Sequence, residues 1–151
     1  MSNSSFIRVA FFDLGDTLIG DQRDWLPGAQ ATLAKLCEKK IRLGLISNTA
    51  NLSREEILEF LPEDFDLDLF EKQLVIFSSE VKLEKPNPEI FQLAIKRAKV
   101  KPKQCLFCTE EPSHILIAKK EKMQTAAVKK PPHSDIGKLV EKLINRGLLP
   151  V

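Results

Sequence analysis

Five short apolar runs punctuate the chain, at residues 6–13 (FIRVAFFD), 41–47 (IRLGLIS), 74–78 (LVIFS), 104–108 (QCLFC) and 124–128 (QTAAV). None keeps a strict apolar and polar alternation, so each reads as a strand covered on both faces, which is the habit of parallel sheets. Between the runs, apolar positions recur at helical spacing. Pro27 and Gly28 open GAQATLAKLCEKK, whose lysines fall in the last turn, where the helix dipole favours cations. Ser53 and Glu56 make an S-x-x-E capping box ahead of Ile57, Leu58 and Phe60. Pro88 starts a helix whose Ile90, Phe91, Ala94, Ile95 and Ala98 share one face, and two more helices are expected over residues 112–122 and 135–147.

Strand and helix in regular succession predict an α/β fold: a doubly wound, Rossmann-like three-layer sandwich around a five-stranded parallel sheet, with right-handed crossovers. In such sheets the ligand crevice lies at the C-terminal edges of the strands, where strand order reverses. Asp13, Ser47, Ser78 and Thr109 end or follow strands and belong to that edge. Asp13 raises a particular demand. A buried strand that carries a carboxylate to its tip needs a partner for it, because an unpaired charge taken out of water is costly.

Length and composition set bounds on this picture. The 151 residues fit one domain, 1–151, with residues 1–5 expected to be disordered. A chain that is 43% hydrophobic and 29% charged is ordinary globular material, neither disordered nor fibrous. A formal charge of +2 does not call for nucleic acid, although basic residues gather from Lys96 to Lys103 and from Lys119 to Lys130 on expected helix ends and loops. No run approaches the ~18 apolar residues of a membrane span, and MSNSS lacks the basic start and apolar stretch of a secretory signal. A cytoplasmic protein without nucleic-acid or membrane partners is expected. Three cysteines do not make a disulfide framework, and Cys105 and Cys108, in a strand-like run where i and i+3 face opposite sides, read as buried thiols rather than a metal or redox pair.

The residues at the expected crevice carry a resemblance. FFDLGDTL, residues 11–18, resembles the first motif of the haloacid dehalogenase superfamily, hhhDxDGT. LISNT (45–49) resembles its second motif, and EKPNPEIF (84–91) its third, in which a lysine precedes a proline and a helix. The likeness extends through LPGAQATLAKL and covers most of the chain in the family's order.

The chemistry of these residues stands beside the resemblance. Asp13 is a nucleophile that can form an aspartyl phosphate, provided that its repulsion from phosphate is relieved by an ammonium and a divalent cation. Lys85 supplies the ammonium, and Ser47 offers a hydroxyl to a phosphoryl oxygen, with backbone donors around Asn48 completing the cradle. Thr17 is expected to hold the turn or the carboxylate at the substrate site. Charge spread over the phosphoryl oxygens is where catalysis of phosphoryl transfer mainly resides.

Two departures from the family pattern shape the expected function. Two residues after the nucleophile, the family's phosphatases carry an aspartate that works as acid and base, and this chain has Gly15. The resemblance implies that the Gly15 carbonyl still binds Mg²⁺, while Asp16, Asp21 or Asp24 takes over proton transfer. Its loss is typically a matter of ~10² to 10⁴ in rate. In place of the family's fourth motif, hhhGD or hhhDD, stands LFCTEEPSHI (106–115). One matching sets Thr109 and His114 on the two acids, another sets Glu110 on the first. Glu110 and Glu111 are oxygen donors suited to Mg²⁺ and are taken with Asp13 and Gly15 as the metal set. His133, in a proline-flanked loop, is assigned no role.

The short connections leave no room for a substantial cap domain, so the crevice is expected to be open to a phosphorylated small molecule or a larger phosphorylated substrate. A homo-oligomer whose second subunit closes the site is a further option. The expected activity is Mg²⁺-dependent phosphate-ester hydrolysis through an aspartyl phosphate. The alternative is a degenerate member that binds a phosphorylated ligand or a protein partner without turnover. Dehalogenation ranks third, since it calls for an apolar pocket closed by a cap.

Overall fold

The computed structural model describes residues 5–151, and the disorder expected over residues 1–5 falls, apart from Ser5 in a turn, outside the described residues. Strands β1 (Val9–Phe12), β2 (Arg42–Ser47), β3 (Val75–Phe77), β4 (Cys105–Thr109) and β5 (Gln124–Ala127) form one parallel sheet in the order β3-β2-β1-β4-β5. The chain therefore runs outward from β1 in one direction, returns, and runs outward in the other. β1 is the point of reversal, and Asp13 is the residue after it.

Three layers follow from the two-sided burial of the strands. One face holds Ala10, Phe12, Leu43 and Leu45 under helices α1 (Ala29–Glu38) and α6 (Leu139–Asn145). The other holds Val9, Phe11, Ile46 and Phe107 under α4 (Pro88–Ala98) and α5 (Pro112–Lys120). The short helices α2 (Arg54–Glu59) and α3 (Ser78–Val81) sit on the connections around β3. Cys105 and Cys108 lie in opposite cores, and burial pushes the Cys105 thiol up to about 11 and the Cys108 thiol higher still. No described helix is long and apolar enough to cross a membrane.

Local chemistry explains most boundaries. The capping box forms in both directions, Glu56 N–H donating to Ser53 Oγ (3.2 Å) and Ser53 N–H to Glu56 Oε1 (3.0 Å). The expected strand over residues 6–13 is shorter at both ends, Val9–Phe12. The expected strand 74–78 ends at Phe77, since Ser78 begins α3. The first helix starts at Ala29, with Gly28 at its cap in the left-handed region (φ 82°). A Cβ at Gly28 would lie 2.6 Å from the Gly137 Cα, so two loops meet there through bare backbone. The expected helix 135–147 is a 3₁₀ turn, Ile136–Lys138, running directly into α6.

Among the described residues there is no large cap. The connection from β1 to α1 is a compact loop with isolated bridges joining Gly15 to Ile19 and Ile19 to Trp25, and the β2–β3 connection holds only α2 and two 3₁₀ turns.

Gly44 of β2 tests the packing of the sheet against its second face. A Cβ there would stand 2.6 Å from Phe11 Cδ1 and Cε1 and 2.9 Å from Leu74 Cβ. Gly44→Ala is expected to lower stability by about 1–3 kcal/mol, as overpacking does, read as a lower denaturation midpoint at an unchanged slope.

Candidate active site

The strand tips bring Asp13, Ser47 and Lys85 to one edge of the sheet. Asp13 is anchored by its own backbone: its N–H donates to the Cys108 carbonyl (3.2 Å), and Leu14 N–H donates to its Oδ1 (2.8 Å). Its other oxygen, Oδ2, meets Lys85 Nζ at 2.9 Å and accepts a long bond from the Thr109 hydroxyl (3.4 Å). The carboxylate keeps 13% of its side-chain surface open, whereas the lysine side chain keeps 1%. The ammonium is thus buried behind the carboxylate, and the carboxylate faces the crevice.

Burial of this order pulls the Lys85 ammonium toward neutrality, and the charges of Asp13 and then Glu110 oppose that pull. Nζ also donates to the Ile46 carbonyl (2.9 Å) and lies 5.4 Å from the centroid of the Phe107 ring, a favourable place for a cation. The lysine backbone is fixed as firmly as its tip. Asn48 Nδ2 donates to the Lys85 carbonyl (2.9 Å), and Lys85 N–H donates to Asn48 Oδ1 (2.8 Å). Asn48, expected to contribute backbone donors to a phosphate cradle, uses its side chain to clamp the lysine. A second lock joins the same loop to α3, with Thr49 N–H donating to Ser78 Oγ (2.7 Å) and the Thr49 and Ser79 hydroxyls 2.8 Å apart.

The other expected site residues divide. Ser47 is 6% exposed and borders a cavity together with Gly15 and Asn48. Asp16 is exposed beside the site, in the left-handed region (φ 63°) where the family pattern has glycine, a conformation that aspartate tolerates. Asp21 reaches the rim of the cavity, while the Asp24 carboxylate accepts from the Gln22 N–H (3.1 Å) and stays in its own loop. Thr17 does not meet the expectation of substrate contact: it is completely buried and its hydroxyl has no hydrogen-bond partner.

In the fourth segment, Thr109 occupies the place beside Asp13, as its pairing position after Cys108 dictates. Glu111, expected to bind metal, caps α5 instead, its Oε1 accepting from Ser113 N–H (3.3 Å) and Ser113 Oγ (3.1 Å), which holds its carboxyl below the usual range. Glu110 lies within electrostatic reach of Asp13, Asp16 and Lys85. Burial first, then the charges of Asp13 and Asp16, raise its carboxyl above the usual range. His114, in the first turn of α5, is held below its ordinary value by burial and by Lys85, and its Nδ1 is buried without a partner. Among the described residues, no three His, Cys, Asp or Glu side chains converge as a ready-made metal cluster.

A fold with this strand order and this pair at its reversal point invites comparison with known hydrolases. A sequence profile for haloacid dehalogenase-like hydrolases matches residues 7–108. The chain belongs to that family. No curated protein matches it. Solved structures that resemble it include an uncharacterised protein from Listeria monocytogenes serotype 4b, with a TM-score of 0.76, 19% identity, and coverage of 92% of this chain and 98% of that one. A haloacid dehalogenase family enzyme from Bacteroides thetaiotaomicron gives a TM-score of 0.74 at 17% identity, covering 89% and 98%. An aspartate-to-alanine mutant of that enzyme, solved in complex with magnesium and inorganic phosphate, gives 0.70 at 20% identity, covering 83% and 95%. At these identities the likeness is one of fold.

The crowding of Glu110 against Asp13 and Asp16 has a measurable sign. A carboxyl raised on folding penalises the native state above its folded pKa and is neutral in both states below its unfolded one. Glu110→Gln is therefore expected to melt higher than wild type at pH 7 in metal-free buffer, with the gap closing as pH falls to about 4. Equal melting at pH 7 contradicts the crowding.

Proposed function

We propose that the protein hydrolyses phosphate monoesters through an aspartyl phosphate on Asp13, with Mg²⁺ as cofactor. The observation that carries this reading is the Asp13–Lys85 contact of 2.9 Å, an accessible carboxylate backed by a buried ammonium. The pair alone is close to neutral, so a dianionic phosphoryl group meets little net repulsion.

In this reading a carboxylate oxygen of Asp13 forms a bond to phosphorus as the ester oxygen leaves with the bonding electrons and takes a proton. Water then attacks the phosphorus of the acyl phosphate, returning the carboxylate and inorganic phosphate. The Leu14 N–H bond to Oδ1 and the Thr109 bond to Oδ2 fix the direction of the carboxylate, and Lys85 holds charge balance throughout. Ser47 is placed to donate to a phosphoryl oxygen. Asp16, exposed in the adjoining turn, is the residue offered for the proton, since Gly15 brings no side chain.

The donors near Asp13 fit a hard divalent cation: carboxylates of Asp13 and Glu110 and the Gly15 carbonyl are all oxygen, and Glu110, raised first by burial and then by Asp13 and Asp16, would be relieved by added positive charge. Bound there, Mg²⁺ supplies charge neutralisation to the phosphoryl oxygens. The magnesium and phosphate bound by the mutant Bacteroides enzyme support the same chemistry for this fold.

A second reading, phospho-ligand or partner binding without turnover, is favoured by one observation: Thr109 and Gly15 stand where the family pattern places acids. One experiment separates the two. A Cβ at Gly15 meets nothing within 4 Å, and Gly15 is not among the positive-φ residues, so the chain accepts Gly15→Asp without strain. Hydrolysis of 4-nitrophenyl phosphate is expected to need Mg²⁺, to vanish in Asp13→Asn, and to rise about 10²-fold in kcat in Gly15→Asp. No turnover in wild type or in Gly15→Asp, with phosphate binding retained, contradicts hydrolysis in favour of the second reading.

A further inference from the structure

The structure carries a cavity that borders the candidate phosphoryl position at Gly15, Ser47 and Asn48 and continues past it between the loop after β1 and α2. It measures about 190 Å³. Away from Ser47, Asn48, Thr49 and Asp21 its walls are apolar: Leu14 and Ile19 from the loop after β1, Leu52 and Ile57 from the segment after β2, and Phe60 at the end of α2. We propose that it is a subsite for the leaving group, selecting phosphomonoesters of a small, uncharged, apolar alcohol or phenol of about one aromatic ring. The inference rests on the phosphatase reading and gives it a substrate class.

Size decides the class first. A cavity of ~150 Å³ with Leu, Ile and Phe walls takes up benzene, so 190 Å³ holds one ring or a short branched chain and excludes a nucleoside or an oligosaccharide from full burial. Charge decides next. Asp21 is the sole ionisable residue of the lining, so a second anion on the leaving group is repelled there. Continuity decides where the group enters. Gly15 offers no side chain to close the passage from the phosphoryl position, and open space surrounds the place its Cβ would take. Phe60 is left 61% exposed at the mouth, an apolar face that a ring can cover.

The larger hollow nearby, about 770 Å³, is a poorer candidate. It is lined by the Arg54–Glu80 ion pair and by Ser78 and Ser79, whose hydroxyls are already bonded to Thr49, and it touches none of Gly15, Ser47 and Asn48.

The test compares two esters of primary alcohols, benzyl phosphate and glycerol 3-phosphate, so that leaving-group reactivity stays similar. Wild type with Mg²⁺ is expected to favour benzyl phosphate in kcat/KM by about tenfold or more, and Phe60→Ala and Leu52→Asn are each expected to cut that preference several-fold, about what burial of part of a ring is worth. Affinity is read separately with benzylphosphonate and methylphosphonate, which are not hydrolysed, and the same preference is expected. Equal turnover of the two esters, or a preference that both variants leave intact, overturns the subsite while phosphatase activity stands. Absence of all turnover with the benzylphosphonate preference retained supports the apolar subsite and counts against hydrolysis itself.

Discussion

A buried lysine is tolerable only if something holds its charge, and Lys85 organises this molecule around that requirement. Its ammonium is out of water, so Asp13 Oδ2, the Ile46 carbonyl and the Phe107 ring all have to meet it. Those groups come from β1, β2 and β4, the three adjacent central strands of the sheet. Removing one member of a buried pair commonly costs about 3–5 kcal/mol, because the other is left uncompensated. The strand order that brings three strand tips together is thus tied to the charge that they enclose. Asn48 completes the arrangement by fixing the lysine backbone at both its N–H and its carbonyl.

The same arrangement leaves the site unbalanced in a useful way. Lys85 pairs with Asp13, while Glu110 and Asp16 add further negative charge that the Lys130 ammonium offsets only in part at Glu110. Burial first, and then this excess of acids, raises the Glu110 carboxyl. A phosphoryl dianion alone would deepen the excess, and a divalent cation together with the dianion would relieve it. The cavity beside Gly15 and Ser47 runs between the loop after β1 and α2, so a substrate bound at Asp13 would have mostly apolar walls next to its phosphoryl group.

Much of this was legible in the sequence because it depends on short-range patterns. Five unalternating apolar runs marked five strands, Pro88 and the Ser53–Glu56 box marked helix starts, and Asp13 announced itself as a carboxylate without a local partner. Lys85 was found through its proline context. What stayed hidden depends on contacts distant along the chain. That Asn48 grips Lys85 needs two loops 37 residues apart to meet, and no periodicity encodes it. Glu110 and Glu111 are adjacent acids of the same type, and only the start of α5 decides that one lies within electrostatic reach of Asp13 while the other caps a helix. Thr17 carries a hydroxyl that composition assigns to polar chemistry, yet the turn folds it wholly inward. That Gly28 and Gly137 meet through bare backbone is again a contact across the fold.

The central claim is that Asp13, backed by Lys85, is the atom-accepting point of an oxyanion site. Trifluoroberyllate, which mimics a phosphoryl group on a carboxylate, tests it without any need to know the substrate. A crystal structure of the protein soaked with beryllium fluoride and Mg²⁺ should show beryllium attached to an Asp13 carboxylate oxygen, with a fluoride within hydrogen-bonding reach of Lys85 Nζ or the Ser47 hydroxyl. An Asp13 carboxylate left bare, with trifluoroberyllate bound elsewhere or not at all under those conditions, would contradict the account.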